Sequence, residues 1–180
     1  MMNAGPSRSQ SGVTMIEVLV TLLVTAFGLL ALAGFIGRAS AMGVESNQRA
    51  RAAAILTDMT DRMRNNKGQA ATYVSATAHG AAVINCAGKA AGFALDLCEW
   101  NNLLIGTNDA LSNGNAQALS FRGCINRPDV LLPVYVVTVA WGSSVTGVAP
   151  VDACGANLFG ADDSFRRVIR SQVRIASLAA

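Results

Sequence analysis

The feature that most limits how this chain can fold is a long apolar run near its N-terminus with a single acid at its head. Residues 18–37 carry no charge, and Glu17 comes directly before them. An apolar helix of about 20 residues is long enough to span a bilayer. A carboxylate at the bilayer centre costs about 2.5–3.5 kcal/mol by insertion scales, so such a group normally has a partner and a function. The run therefore predicts a membrane-type helix with a functional acid.

Cleavage after Gly12 would supply a partner for Glu17. It would free the amine of Val13, a cation about one helical turn before the carboxylate and also within reach of the glutamate of a neighbouring copy. Residues 12–37 resemble the N-terminus of type IV prepilins and of their relatives in type II secretion. That resemblance implies that a prepilin peptidase cuts after Gly12 and methylates Val13, and that Glu17 pairs with the amine of an adjacent subunit. Most of the family has Phe where this chain has Val13, and valine keeps the new N-terminus apolar.

Two other interpretations of the same segment remain open. Arg8 and the sequence Ala39-Ser40-Ala41 are typical of a secretory signal peptide that is cleaved after Ala41. The second alternative is a plain membrane anchor that is never cleaved. The apolar run exceeds the core of about 7–15 residues that signal peptides have, and neither alternative has a use for Glu17. The prepilin interpretation is therefore preferred.

The segment that follows predicts a continuation of the same helix. Proline is absent from residues 13–67, which allows one helix over about residues 14–66. Its second half is amphipathic, and we expect the apolar face to pack on the globular domain; the residues of that face are Ala52, Ile55, Leu56, Met59 and Met63. Asp58 and Arg62, four residues apart with opposite charges, add to helix stability.

Residues 58–66 (DMTDRMRNN) extend the resemblance, because minor pilins of the PilV type carry a similar stretch. Residues 16–20 and 27–34 resemble their membrane segment, and residues 96–100 resemble one of their short helices. The resemblance implies the α+β type IV pilin fold, in which a long N-terminal helix packs on a small antiparallel β-sheet. The corresponding divisions of this chain are a prepilin leader at 1–12, a transmembrane and assembly half of the helix at 13–37, an amphipathic half at 38–67 and a periplasmic globular domain at 68–180.

The same resemblance implies a minor type IV pilin, which is a structural protein rather than an enzyme and needs no cofactor. Its partners would be the prepilin peptidase, other minor pilins, the major pilin and, before assembly, inner-membrane lipid. It would lie in the bacterial inner membrane with a periplasmic C-terminal domain, and later in the pilus at the cell surface, in attachment or motility. One alternative is a pseudopilin of type II secretion or of a competence system. Another is a secreted periplasmic binding protein that is cleaved after Ala41.

The cysteines point to an exported domain. Cys86, Cys98, Cys124 and Cys154 all follow the membrane segment, and an even count in such a domain predicts two disulfides. Three pairings are possible, and we favour Cys86 with Cys98 and Cys124 with Cys154 because both close short local loops. The lack of a C-x-x-C motif and the presence of a single histidine, His79, argue against a zinc site.

The rest of the chain predicts a connection, a short helix and three strands. Residues 69–114 are rich in Ala, Asn and Gly and predict little regular structure, apart from a helix around 93–104. Its inward residues are expected to be Leu95, Cys98, Trp100 and Leu103. A half-buried strand is predicted by the alternation at 119–122, a central strand by the apolar run at 134–141, and a last strand at 165–175.

The polar residues of the globular half do not indicate catalysis. A single histidine, His79 in a flexible-looking loop, is expected to be exposed and inert, which leaves no Ser-His or Cys-His arrangement. Asp162 and Asp163 predict a loop before the last strand, because an EF-hand pattern is missing.

One basic row stands out on the last predicted strand, at Arg166, Arg170 and Arg174. It could bind DNA or an acidic partner, or it could be a solvated face that discourages edge pairing. No aromatic residues alternate with these arginines for base stacking, and a net charge of +3 is small. Nucleic-acid binding is therefore disfavoured.

Overall fold

The computed structural model describes residues 12–106, 121–160 and 162–175, and the chain divides into two compact units, Met1–Gly43 and Val44–Ala180. The elements, in chain order, are helix α1 (Met15–Asn65), a 3-10 helix (Lys67–Tyr73), helix α2 (Phe93–Ile105) and strands β1 (Arg122–Asn126), β2 (Val134–Gly142) and β3 (Arg166–Arg174). Helix α1 is continuous, as the lack of proline predicted. The architecture is the predicted α+β arrangement of a long N-terminal helix and a small antiparallel sheet.

Over its described residues, the first unit consists of residues 12–14 and the part of α1 from Met15 to Gly43, which contains the apolar run. Every described side chain in it is exposed. The hydroxyl of Thr21 donates to the carbonyl of Val18, and that of Thr25 donates to the carbonyls of Thr21 and Leu22, each at 2.9 Å. These polar side chains are thus satisfied inside the helix, as a hydrocarbon environment demands. Among the described residues, α1 is the one helix long and apolar enough to cross a membrane.

The core of the second unit is built on the amphipathic half of α1. The five side chains predicted to share one face are all buried: Ala52, Ile55, Leu56, Met59 and Met63. They form one hydrophobic cluster with residues of α2 and of the sheet, among them Trp100, Val137 and Val139. Complete burial of a large apolar side chain contributes about 1.5–3 kcal/mol. The predicted packing face is confirmed, and it supplies a large part of the core.

Glycines mark both ends of α2. Gly92 precedes the helix with φ 106°, and Gly106 follows it in the left-handed conformation with φ 80°. The N–H of Gly106 donates to the carbonyls of Asn102 and Leu103, at 3.1 and 3.0 Å. A glycine tolerates this conformation without strain and satisfies carbonyls at the helix end that would otherwise lack partners.

The inner face of α2 differs in part from the prediction. Trp100 and Cys98 are buried as expected, and Leu103 packs against the core, but Leu95 is only half-buried. Leu104, which lay outside the predicted set, is fully buried. Residues four apart share a helix face, so the inner face is centred on the pair of Trp100 and Leu104.

The three strands form one antiparallel sheet in the order β1-β2-β3. The central position of β2 confirms the prediction from its apolar run, and Val137 and Val139 are fully buried. Strand β3 also falls where it was predicted, to within one residue at each end. Since β1 pairs with one side of β2 and β3 with the other, β1 and β3 are the edge strands of this sheet.

The first predicted strand is displaced along the sequence. Strand β1 begins at Arg122, whereas the alternation predicted a strand around 119–122; residues 119 and 120 lie outside the described part of the chain. Phe121 is buried as expected, but its N–H donates to the carbonyl of Leu104 at 3.1 Å. Contact with the end of α2 therefore holds Phe121 in place.

The connection after α1 is more regular than its composition predicted. Residues Lys67–Tyr73 form a 3-10 helix, and Ala70 and Tyr73 are buried in it. Burial against the core stabilises this short helix, and the local composition does not predict that burial.

Two disulfides staple the second unit. Cys86 is bonded to Cys98 in the middle of α2, and Cys124 of β1 is bonded to Cys154 in the loop after β2. This is the pairing that the sequence analysis favoured. By the chain-entropy account, each bridge stabilises the fold by restricting the unfolded chain, typically by about 2–4 kcal/mol.

Gly123 of β1 provides a test of the packing between β1 and α2. A Cβ atom at Gly123 would lie 2.2 Å from Cη2 of Trp100 and 2.7 Å from Cδ1 of Leu104, so the indole or the strand would have to shift. We expect Gly123→Ala to lower the free energy of unfolding by about 1–3 kcal/mol, the range found for overpacked cores. Chemical denaturation of the full-length protein in detergent micelles, followed by tryptophan fluorescence, measures the change.

The matched control is Gly68→Ala, because a Cβ atom at Gly68 would meet nothing within 4 Å. Equal stability of the Gly123→Ala and Gly68→Ala proteins would contradict the close contact between β1 and α2.

Candidate functional site

The N-terminal segment, residues 12–37, contains the residues that the prepilin resemblance singled out. Gly12, Val13 and Thr14 precede α1 and are exposed. The N–H of Glu17 donates to the carbonyl oxygen of Thr14 at 3.0 Å, within the first turn of the helix. The peptide bond after Gly12 thus lies in an exposed, non-helical stretch directly before the helix.

Packing among the described residues does not require a glycine at position 12. A Cβ atom at Gly12 would meet nothing within 4 Å, and the same is true at Gly28, Gly34 and Gly37 of α1. Glycine is useful where another molecule approaches the backbone closely, as small residues do between helices in membranes. Contacts among the described residues therefore do not explain a need for glycine at these positions.

Glu17 lies in the first turn of α1. The positive end of the helix macrodipole favours a carboxylate there by about 0.3–1 kcal/mol at exposed sites. No described side chain forms an ion pair with Glu17. The macrodipole offsets less than half of the roughly 2.5–3.5 kcal/mol that a charge at the bilayer centre costs. The described part of the chain therefore leaves most of that cost uncompensated, and a cation from another molecule would offset it.

The apolar half of α1 presents an uncovered hydrophobic surface. Most of its large side chains are more than half exposed, including Leu19, Leu22, Phe27 and Phe35. Monomeric soluble proteins rarely expose contiguous apolar patches above a few hundred Å². The segment is therefore built to insert into lipid or into a bundle of similar helices, with one acid near its leading end.

A model of a protein family, the prokaryotic N-terminal methylation motif, matches residues 7–33. The matched stretch includes Gly12, Val13 and Glu17. The match indicates a prepilin-like protein, of the type IV pilin or pseudopilin kind, that a prepilin peptidase processes. Proteins of this kind are structural rather than enzymatic. No curated protein and no solved structure matches the chain.

Together the motif and the apolar helix fit a membrane-anchored pilin, whose partners are the prepilin peptidase and subunits of a pilus or pseudopilus. The exact bond that is cut, the methylation of Val13 and the assembly role of Glu17 remain predictions.

A polar cluster that the sequence revealed only in part joins α1 to α2. Arg62 pairs with Asp58 at 2.8 Å, as predicted, and also with Asp96 at 3.2 Å and Glu99 at 2.6 Å. Burial lowers the pKa of Arg62, but hydrogen bonds to Glu99, Asp58 and Asp96 outweigh that effect and raise the pKa overall. The two α2 partners are 34 and 37 residues away in sequence, so the fold alone brings them to Arg62.

Tyr73 ties the 3-10 helix to the same cluster. Its hydroxyl donates a hydrogen bond to Asp96, and the side-chain amide of Asn66 donates to Asp96 at 2.7 Å. Burial and the hydrogen bond to Asp96 raise the pKa of Tyr73 to about 12. The contacts of this cluster join α1, the 3-10 helix and α2, so its role is structural.

His79 is not the exposed loop residue that the sequence predicted. Its N–H donates to the carbonyl of Gly123 at 2.8 Å and its carbonyl accepts from the N–H of Gly123 at 3.1 Å. Its ring centroid lies 5.7 Å from that of Trp100, and its Nε2 atom is buried without a partner among the described residues. Burial lowers the pKa of His79. The prediction was wrong because the loop pairs with the edge of β1, and no sequence pattern signalled that contact.

The basic row is also different from the prediction. Arg166 is 2% exposed, pairs with Asp163 at 3.1 Å, and donates to the carbonyls of Pro150 and Cys154 at 3.0 and 2.9 Å. The guanidinium fills the loop between β2 and β3, where buried carbonyls need donors. Of the three arginines, only Arg170 and Arg174 lie on an exposed face.

The two acids before β3 accept hydrogen bonds from backbone N–H groups of the same loop. Asp162 accepts a hydrogen bond from the N–H of Ser164 at 3.1 Å, and Asp163 accepts one from the N–H of Asn157 at 2.8 Å. Within the described residues, no group of three or more His, Cys, Asp and Glu side chains is arranged to hold a metal ion.

The environment of His79 predicts a pH dependence of stability. The pKa of His79 is lowered in the folded protein, whereas the unfolded chain has the ordinary value of about 6.5. Above that value neither state is protonated, and His79 has no effect. As the pH falls below it, the unfolded chain binds a proton that the folded chain does not. The free energy of unfolding therefore falls, by up to about 1.4 kcal/mol per pH unit.

His79→Gln should remove this dependence over a window of about pH 5.5–7.5, in which carboxylates titrate little. Since the chain has a single histidine, the difference between the two proteins isolates its contribution. Denaturation curves across the window measure it. Identical pH profiles for both proteins would show that solvent protonates His79 freely in the fold.

Proposed function

We propose that this chain is a minor type IV pilin, which takes part in pilus assembly and priming and, through the pilus, in attachment or motility. The observation that carries the proposal is the methylation motif at the head of an uncovered apolar helix that contains one acid. Such a helix needs a hydrophobic environment, first of lipid and then of other subunits.

In the first stage the protein is held in the bacterial inner membrane. Residues 1–12 form the leader, and Arg8 keeps it on the cytoplasmic side by the positive-inside rule. The second unit then lies in the periplasm, where disulfides persist. Its two disulfides, Cys86 with Cys98 and Cys124 with Cys154, suit that compartment.

In the second stage the prepilin peptidase cuts after Gly12 and methylates the amine of Val13. The amine remains a cation after methylation, and it pairs with Glu17 of an adjacent subunit in the filament. A charge-assisted hydrogen bond contributes about 1.5–3 kcal/mol, comparable to the cost of a charge in hydrocarbon. Uncleaved subunits lack the amine and are excluded from the bundle.

The minor-pilin assignment rests on the stretch 58–66 and on the two disulfides. A pseudopilin of type II secretion or competence is the second candidate, because the methylation motif is common to both kinds of protein. Analysis of the protein content of sheared surface filaments distinguishes the two proposals. A minor pilin is found in them at low abundance, whereas a pseudopilin is absent from them and its deletion blocks secretion or DNA uptake.

Cleavage is tested by intact-mass analysis of the protein isolated from cells. We expect a chain that starts at methylated Val13, and we expect Gly12→Val to accumulate as the full-length precursor. Gly5→Val is the matched control in the same leader and should be processed normally. A mature chain that starts at Met42 would establish signal-peptide cleavage and overturn the proposal.

The carboxylate is tested by Glu17→Gln, which keeps the size of the side chain and removes its charge. This protein should be inserted and cleaved normally, yet its incorporation into filaments should fall by at least about tenfold, since the lost pairing contributes about 1.5–3 kcal/mol. Immunoblots of sheared filaments and membranes measure the ratio. Glu99→Gln, in the exposed part of the α1–α2 cluster, is the control. Normal incorporation of Glu17→Gln would mean that the charge has no part in assembly.

A further inference from the structure

The outer edge of β3 carries backbone groups that find no partner among the described residues. In an antiparallel pair, residues that bond the neighbouring strand alternate with residues whose N–H and C=O point away. The N–H of Ser143 donates to the carbonyl of Phe165 at 2.8 Å, and the N–H of Ile175 donates to the carbonyl of Pro133 at 2.9 Å. Together with the register of β2 and β3, these bonds show that the backbone N–H and C=O groups of the odd-numbered residues of β3 point toward β2. The residues whose backbone groups point outward, here termed the β3 edge, are Val168, Arg170, Gln172 and Arg174.

The opposite edge of the sheet is closed by the chain itself. Gly123 exchanges two backbone hydrogen bonds with His79, and the N–H of Ser75 donates to the carbonyl of Ile125 at 3.3 Å. Gly123 and Ile125 are the outward-facing residues of β1, so the alternation holds on both sides of the sheet. No residue in the described ranges gives the β3 edge a backbone partner.

The side chains along this edge have a definite charge. Arg170 and Arg174 are exposed on the outer face, and no described carboxylate pairs with either of them. They are four residues apart, so their side chains point to the same face. On the other face Ile169 packs against the core and remains half-buried. A strand added here would meet positive charge on one face and apolar surface on the other.

A second copy of this chain does not fit the β3 edge. The strand carries four arginines among its nine residues: Arg166, Arg167, Arg170 and Arg174. Pairing of β3 with β3 would place strands of the same charge side by side, and like charges opposite each other are destabilising. Acidic side chains opposite Arg170 and Arg174 would instead be favourable.

We propose that the β3 edge is a docking site for an extended strand of a different protein. The strand carries acidic side chains at alternate positions, facing Arg170 and Arg174, and apolar side chains between them, on the side of Ile169. Main-chain hydrogen bonds supply affinity in such strand addition, and the alternating side chains supply selectivity. The arginines keep other copies of this chain away and select the acidic partner. This site does not depend on which machine the protein serves.

Amide hydrogen exchange at residue resolution tests the proposal. The probe is a synthetic peptide of alternating glutamate and valine, added to the full-length protein in detergent micelles. We expect slower exchange at the outward amides, those of Val168, Arg170, Gln172 and Arg174. A peptide with lysine in place of glutamate should give no protection. No protection by the acidic peptide, protection confined to other parts of the chain, or equal protection by the lysine peptide would each overturn the proposal.

A pair of proline variants separates strand addition from binding of charge alone. The N–H of Gln172 points outward, so Gln172→Pro leaves the bonds to β2 intact, and an edge strand tolerates it. This variant should melt close to the wild-type temperature and lose protection by the acidic peptide. The N–H of Ser171 points toward Val137, so Ser171→Pro should lower the melting temperature clearly. Undiminished peptide protection in Gln172→Pro would overturn strand addition.

Charge reversal tests the acidic partner without a change to the backbone. Reversal of both exposed arginines, Arg170→Glu with Arg174→Glu, should weaken binding of the acidic peptide by at least about tenfold and allow the lysine peptide to bind. Arg64→Glu on α1 is the control with the same kind of charge change, and it should leave peptide affinity unchanged. Wild-type affinity of the doubly reversed protein for the acidic peptide would contradict the proposal.

Discussion

An apolar helix half that its own chain leaves uncovered is the constraint on which the rest of this protein depends. The described residues of the first unit are exposed throughout, and Glu17 has no ion-pair partner among the described side chains. Within the described part of the chain, neither the hydrophobic surface nor the acid has a partner. Lipid can cover the surface, whereas an acid in hydrocarbon carries a further cost that a cation would offset. The apolar helix therefore needs lipid or other protein molecules to cover it, which agrees with the prepilin-like class that the methylation motif indicates.

The same helix serves a second purpose in its other half, where it forms one wall of the core of the second unit. Trp100 is fully buried, and its indole N–H donates to the carbonyl of Ile55 at 3.0 Å, so α2 is fastened to α1 by packing and by a hydrogen bond. Arg62 adds ion pairs to Asp96 and Glu99 farther along α1. At the near end, the hydroxyl of Ser143 donates to Glu45 at 2.6 Å. Three separate contacts thus hold the domain along this half of the helix.

Sequence patterns predicted the parts of the fold that depend on local periodicity. The helix, its buried face from Ala52 to Met63, the central strand and the last strand all follow from repeats of apolar residues. The pattern was less informative where one residue contacts a distant element. Phe121 belongs to an alternating stretch, yet the end of α2 holds it; His79 and Arg166 look like exposed polar residues, yet backbone pairing and buried carbonyls enclose them.

The sequence by itself determined the apolar segment, its lone acid and the possible cleavage point at Gly12, because each depends on residues that lie close together in the chain. The α+β class followed from the family resemblance that those residues carry. Tertiary structure alone decided which polar groups are buried and, among the described residues, which strand edge is closed and which is open. Loop 75–79 closes one edge by pairing with β1, and β3 keeps the other with outward-facing backbone groups beside Arg170 and Arg174. The physical reason is that these outcomes depend on hydrogen-bond register and on contacts between distant segments, which residue identities alone do not encode.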